Sequence, residues 1–181
     1  MKMGIVEPIR SIEDLRKLEK VLAKDPKDLL FFTIGTNCGL RISDIVALNV
    51  SDVKGKTHVR IVEQKTGKAK IFPINSKLKP MLENFVKNKK PEEPLFKTLF
   101  QNRLDRFGAY YIIKNACKKI GIQEKIGTHT MRKTFGYHHY KKFKDVAMLQ
   151  KIFNHASPQI TLRYIGIEQE EIEQSYTNFV L

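Results

Sequence analysis

Residues 57–74 read THVRIVEQKTGKAKIFPI, and over this stretch the chain changes period. THVRIVEQ and AKIFPI are rich in β-branched and aromatic residues, and KTGK between them carries a turn signal. The spacing therefore predicts an antiparallel hairpin over about residues 57–74. Around it the apolar residues recur at helical spacing instead. SIEDLRKLEKVLAK opens on Ser11 as a helix cap, with Ile12, Leu15, Leu18 and Leu22 on one stripe. DPKDLL starts a second helix, with Asp25 capping and Pro26 in the first turn, that should run to Cys38 and stop at Gly39. A third, short helix is expected over Ser43–Leu48.

Beyond the hairpin, KLKPMLENFVKN and NRLDRFGAYYIIKNACKKIG read as helices, the second ending at Gly121. HTMRKTFGYHHYKKF and DVAMLQKIFNH follow, then SPQITLRYIG, where Ser157 caps and Pro158 begins the turn. The tail EQEEIEQSYTNFVL carries Ile172, Tyr176 and Phe179 at helical spacing, a stripe that needs something to cover it. The fold class expected is mostly α with one small antiparallel β-sheet. The chain reads as a single domain over residues 1–181, with 166–181 as a distinct tail.

Lys and Arg number 33 against 19 Asp and Glu, a net charge of +14 with a pI near 9.8. The excess is spread along the chain, which favours a folded basic surface and a polyanionic partner, nucleic acid first among them. No apolar run approaches bilayer length, and MKMGIVEPIR lacks a signal-peptide core. Cys38 and Cys117 have no metal-ligand spacing and read as buried thiols in a reducing cytoplasm.

Five places carry polar groups that a plain structural domain does not require. GLRISD sets Arg41 at a turn between helices, EQKTGK sets Lys65 at the hairpin tip, and THTMRK sets His129 and Arg132 three positions apart, as on one helix face. His155 stands at a helix end, and Tyr164 follows nine positions later. Taken singly, each has an ordinary explanation: a solvated arginine, a solubilising turn lysine, a core histidine, a packed tyrosine. Together, and in this chain order, they resemble the catalytic domain of the tyrosine recombinases, the phage integrase family, from about Arg10 to the end.

The resemblance implies an active site of Arg41, Lys65, His129, Arg132, His155 and Tyr164, with Asp44 supporting the first arginine. It also implies cutting of double-stranded DNA through a 3′-phosphotyrosine. Two guanidiniums suit the charge that gathers on a pentacoordinate phosphate. His129 is the expected base for Tyr164, Lys65 the acid for the 5′ oxygen, and His155 a donor to phosphate. No cofactor and no metal is expected, because arginines and lysine do the work of a cation. Four histidines suggest zinc, but His138 and His139 point to different helix faces, and C-x-x-C and H-E-x-x-H are both missing.

One departure is Asn154, where many relatives carry glycine before the histidine. The resemblance further implies a homotetramer on DNA, joined by the tail helix docking on a neighbour; the same stripe could instead pack at home in a monomer. A separate core-binding domain ahead of the catalytic one is not evident. NRLDRFGAYYIIK is the expected source of groove contacts. Competing readings are a type IB topoisomerase-like relaxation activity and a non-catalytic DNA-binding regulator on the same fold.

Overall fold

The computed structural model describes residues 6–180. Residues 1–5, the start of the stretch read above as lacking a signal-peptide core, and Leu181 lie outside the described residues. Helix α1 (Ile12–Leu22) is capped by Ser11, whose hydroxyl accepts from the Asp14 amide. Helix α2 (Pro26–Cys38) begins where Asp25 accepts from the Lys27 amide, and it ends at Gly39 with φ 60°. The short α3 (Ile42–Ala47) and a 3-10 turn (Val50–Asp52) lead into the hairpin of β1 (His58–Val62) and β2 (Ala69–Pro73). Then come α4 (Leu78–Val86), α5 (Arg106–Lys119), α6 (Thr130–Phe143), α7 (Val146–Phe153), α8 (Pro158–Ile165) and α9 (Glu168–Asn178). The mostly helical fold with one two-stranded antiparallel sheet is the one expected.

Two apolar clusters organise these elements. The larger surrounds α2, whose Leu30, Phe31, Phe32 and Ile34 are all buried, so this helix is apolar on every side. Each such side chain contributes about 1.5–3 kcal/mol on leaving water. The smaller gathers Tyr137 and Tyr140 of α6, Leu149 and Phe153 of α7, and Ile165 and Ile167 around the end of α8. Helix α6 belongs to both, because its Met131 lies in the first cluster and its Tyr137 in the second.

Close approach of α6 to α7 and α8 depends on Gly136. A Cβ there would lie 2.6 Å from Ile165 Cγ2 and 2.7 Å from the Phe153 ring. Burial pushes the thiols of both free cysteines, Cys38 and Cys117, up to about 12. Among the described residues no helix is long and apolar enough to cross a membrane.

The hairpin pairs Val59 with Phe72, Arg60 with Ile71 and Ile61 with Lys70. Alternation sends Val59, Ile61 and then Glu63 inward, while His58, Arg60 and Val62 stay exposed. The tail helix α9 follows α8 directly, and its Ile172 and Tyr176, with Phe179 and Val180 beyond it, are exposed, Tyr176 to 82%.

Candidate active site

The site forms along the seam between the two clusters. Arg132, in the first turn of α6, is only 2% exposed. Its Nη1 donates to the Gly39 carbonyl at 2.6 Å and its Nη2 to the Phe153 carbonyl at 2.9 Å, so one guanidinium joins the end of α2 to the end of α7. The left-handed turn at Gly39 aims that carbonyl inward, and a Cβ there would strike the Phe135 ring at 2.4 Å. The guanidinium also lies over the Phe153 ring, 4.4 Å from its centroid.

Arg41 follows this turn at the start of α3. Its Nη1 stands 3.8 Å from Asp44 Oδ2 but only 2.9 Å from Glu63 Oε1. The second contact is charge pairing out of line, since neither atom satisfies hydrogen-bond geometry among the described residues. Asp44 uses its other oxygen, Oδ1, to accept from the Gln64 amide at 3.0 Å. It therefore holds the hairpin at least as firmly as it supports the arginine. Burial raises the Glu63 carboxyl, but the Thr66 hydroxyl, donating at 2.7 Å, and Arg41 together lower it further, so it stays ionised.

Lys65 is exposed in the turn between β1 and β2. With Arg41, His129, Arg106, Tyr110 and Tyr111 it lines a cleft of about 780 Å³. His129 occupies the N-cap position of α6, three residues before Arg132 in the first turn; with φ -101° and ψ -6° it keeps right-handed helical dihedrals, and it lines the cleft. Burial, then the fields of Arg132 and Lys65, lower its pKa.

Tyr164 sits near the end of α8 with its hydroxyl 3.0 Å from His129 Nδ1. Its ring packs edge-on against His155, at 5.1 Å between centroids, and Phe153, at 5.5 Å, while the Lys133 ammonium lies 5.0 Å from the ring centre. The tyrosine is thus held by packing and a hydrogen bond. Burial pushes its phenol up to about 12, against the opposing pull of Arg132 and Arg41. Of its apolar neighbours on α8, Leu162 joins the smaller cluster and Ile160 stays exposed.

His155 follows α7, fixed by its own amide on the Gln150 carbonyl and by Gln150 Nε2 on its carbonyl. Burial, then Arg132 and Arg41, push it down to about 4. Its Nδ1 lies 3.1 Å from the Thr161 hydroxyl, which itself donates to the Ser157 carbonyl. His138 and His139 turn elsewhere, the first to the Ile9 carbonyl and the second between Phe135 and Phe143.

Arg41, His129, Arg132, His155 and Tyr164 are thus brought together, with Lys65 across the cleft. Two buried groups near them are absent from the sequence reading. Glu63 had a signal, an acidic residue continuing the inward alternation of Val59 and Ile61. Lys133, 7% exposed on α6, had none beyond its place next to Arg132.

Comparison with known proteins bears on the family and the fold. The model of the phage integrase family matches residues 12–171. A probable integrase/recombinase of Bacillus subtilis, YoeC, is 44% identical over 179 residues, 98% of each chain. Tyrosine recombinase XerC of Thermodesulfovibrio yellowstonii is 27% identical over 180 residues, which are 92% of this chain but 60% of that longer relative. Among solved structures, XerA recombinase superposes with TM-score 0.78 at 20% identity, over 98% of this chain and 65% of the other. The catalytic domain of bacteriophage HP1 integrase gives 0.68 at 22% identity over 95% of both. The chain belongs to the phage integrase family.

Proposed function

We propose that the protein is a tyrosine-type site-specific recombinase that cuts and rejoins double-stranded DNA. The observation that carries this reading is the Tyr164 hydroxyl, 3.0 Å from His129 Nδ1, in a pocket whose charge is set by Arg132 and Arg41. In cleavage the Tyr164 oxygen bonds to phosphorus and the bond from phosphorus to the 5′ oxygen breaks. The phenol proton passes to His129, and Lys65 donates a proton to the leaving 5′ oxygen. A 3′-phosphotyrosine and a free 5′ hydroxyl result. Rejoining runs the same transfers backwards, so the ester's energy is kept and no ATP is needed.

Arg41 and Arg132 stabilise the phosphorane oxygens; losing one pre-placed donor costs about 10²–10³ in rate. Both are already immobilised by protein partners, so little reorganisation accompanies the reaction. Asp44 and Glu63 hold Arg41 and the hairpin. His155 hydrogen-bonds a phosphate oxygen and steadies the transition state; burial first, then the two guanidiniums, hold its pKa down to about 4, so the ring enters the reaction neutral.

The same proposal takes residues 1–181 as one catalytic domain acting on duplex DNA in the cytoplasm, where the buried cysteines stay reduced. Its tail links protomers in a tetramer on the DNA; support for that is the exposure of Tyr176 and Phe179, 82% and 71%. The test is a denaturation-resistant adduct formed on a nicked duplex that releases a short strand on cleavage. The adduct should form with the native protein and vanish in Tyr164→Phe at unchanged DNA affinity. DNA binding without an adduct would reduce the protein to a binding module.

A further inference from the structure

Asn154, Lys68 just before β2 and Lys70 within it lie outside the proposed chemistry, yet the hairpin lysines reach the end of α7. On one side the hairpin is fastened to α3 by the Gln64 amide on Asp44 and by Glu63 beside Arg41. On the other side it does not pack directly onto α7. A cavity of about 570 Å³ intervenes, lined by Asn37, Cys38, Lys70, Phe72, Phe135 and Asn154. Two lysines span it. Lys68 Nζ donates to Asn154 Oδ1 at 3.1 Å, and Lys70 Nζ to the Ile152 carbonyl at 3.1 Å.

Lys70 occupies an inward position of β2 opposite Ile61, where a lysine is expensive. Burial, then Arg132, lower it to about 8, with Glu63 and Cys38 opposing and Arg41 adding to the fall. Lys68 closes the turn, because its carbonyl accepts from the Glu63 amide at 2.9 Å. Lys65 therefore hangs between two anchored residues, Gln64 and Lys68. Asn154 immediately precedes His155 and holds φ 55° at the end of α7, a conformation that glycine adopts without strain.

We propose that Asn154 and Lys68, backed by Lys70 on the Ile152 carbonyl, form a clasp that positions Lys65 for protonation of the leaving oxygen and registers it against His155. These are positioning residues, since none of them touches the reacting atoms. The inference rests on the reading of Lys65 as the general acid.

Asn154→Gly is the clean probe: it removes only the side-chain acceptor from a backbone that suits glycine. Loss of one charge-assisted hydrogen bond at an exposed site should slow single-turnover cleavage about three- to tenfold. DNA affinity should not change. On a duplex whose 5′ bridging oxygen at the cut is sulfur, a leaving group that needs no proton, the deficit should shrink to less than about twofold. Lys68→Met should behave alike, and Asn154→Gly should cost nothing further in a Lys65→Ala background.

Wild-type cleavage by both single variants overturns the clasp. So does a deficit that persists on the sulfur substrate while Lys65→Ala is rescued there. Loss of DNA affinity in Lys68→Met, with Asn154→Gly cleaving normally, overturns it as well and makes Lys68 a phosphate contact. If Lys65→Ala itself is not rescued, the general-acid reading falls and takes the clasp with it.

Discussion

Replacing His129 with glutamine separates the base from the rest of the site, because glutamine keeps a polar group at a similar distance but cannot take a proton. Burial puts the Tyr164 phenol at about 12. At pH 7 only about one molecule in 10⁵ then carries phenolate, a cost of about 7 kcal/mol at 1.36 kcal/mol per pH unit. An ordinary tyrosine near 10 would face about 4 kcal/mol. His129 is suited to remove that burden, since its pKa is lowered below 6.5 and the ring is neutral at pH 7 with its Nδ1 on the hydroxyl.

His129→Gln should therefore lose about 10²–10³ in the rate of adduct formation at pH 7, within the usual range for general-base catalysis. The native rate should level off above pH 6.5, whereas the variant must wait for solvent to ionise the phenol. The ratio of variant to native rate should then climb about tenfold per pH unit from 7 to 9. Taking the ratio cancels Lys70, which titrates at about 8 in both proteins. The assay is single-turnover cleavage of the nicked duplex, quenched in denaturant and read as covalent adduct. A ratio that stays flat with pH, or a loss below about fivefold, would refute His129 as the base.

Other consequences are open to measurement. Gly136→Val forces methyl groups into the 2.6 Å gap to Ile165 and should cost about 1–3 kcal/mol, at about 2–4 °C of Tm per kcal/mol in a thermal melt. Unchanged Tm would mean that α6 and α8 can part. Glu63→Gln keeps the shape but removes the anion beside Arg41; cleavage should fall by about tenfold or more while DNA binding holds or strengthens, and an unaffected rate would leave Asp44 as the sufficient partner. His155 is at about 4 folded against 6.5 unfolded, so the unfolded chain binds the proton first. Stability is therefore full above pH 6.5 and declines as pH falls toward 4; His155→Gln should flatten that slope of Tm, and an equal slope in both proteins would count against the shift.

The sequence made the elements legible wherever a local rule set them. Asp25, Pro26 and Gly39 bound α2 as expected, and the β-rich runs pair in the hairpin predicted over 57–74. The candidate site residues stood out as a set only through their order along the chain. What stayed hidden depends on contacts between distant segments: Tyr164 on His129 is 35 residues away, Lys68 on Asn154 is 86, and Arg132 on Gly39 is 93. Periodicity places a residue on a face but does not say what faces it. That is why the partners of Tyr164, Arg132 and Asn154 went unread. Glu63 was the exception, since an acid continuing an inward strand alternation must have a buried cation to meet.

Arg132 has a consequence for anyone screening variants of this protein. Its guanidinium spans the carbonyls of Gly39 and Phe153, so it is the fastener between the two halves of the interior as well as the proposed ligand for phosphate. Trimming it leaves two inward carbonyls without a donor, and in a cell the chain would be lost to proteolysis before its chemistry could be judged. Abundance and activity are bound to fall together at this position, and a selection for one will enrich for the other. On the proposed chemistry Tyr164→Phe, which removes one oxygen and keeps the ring in its socket, should give an inactive protein that can still be purified.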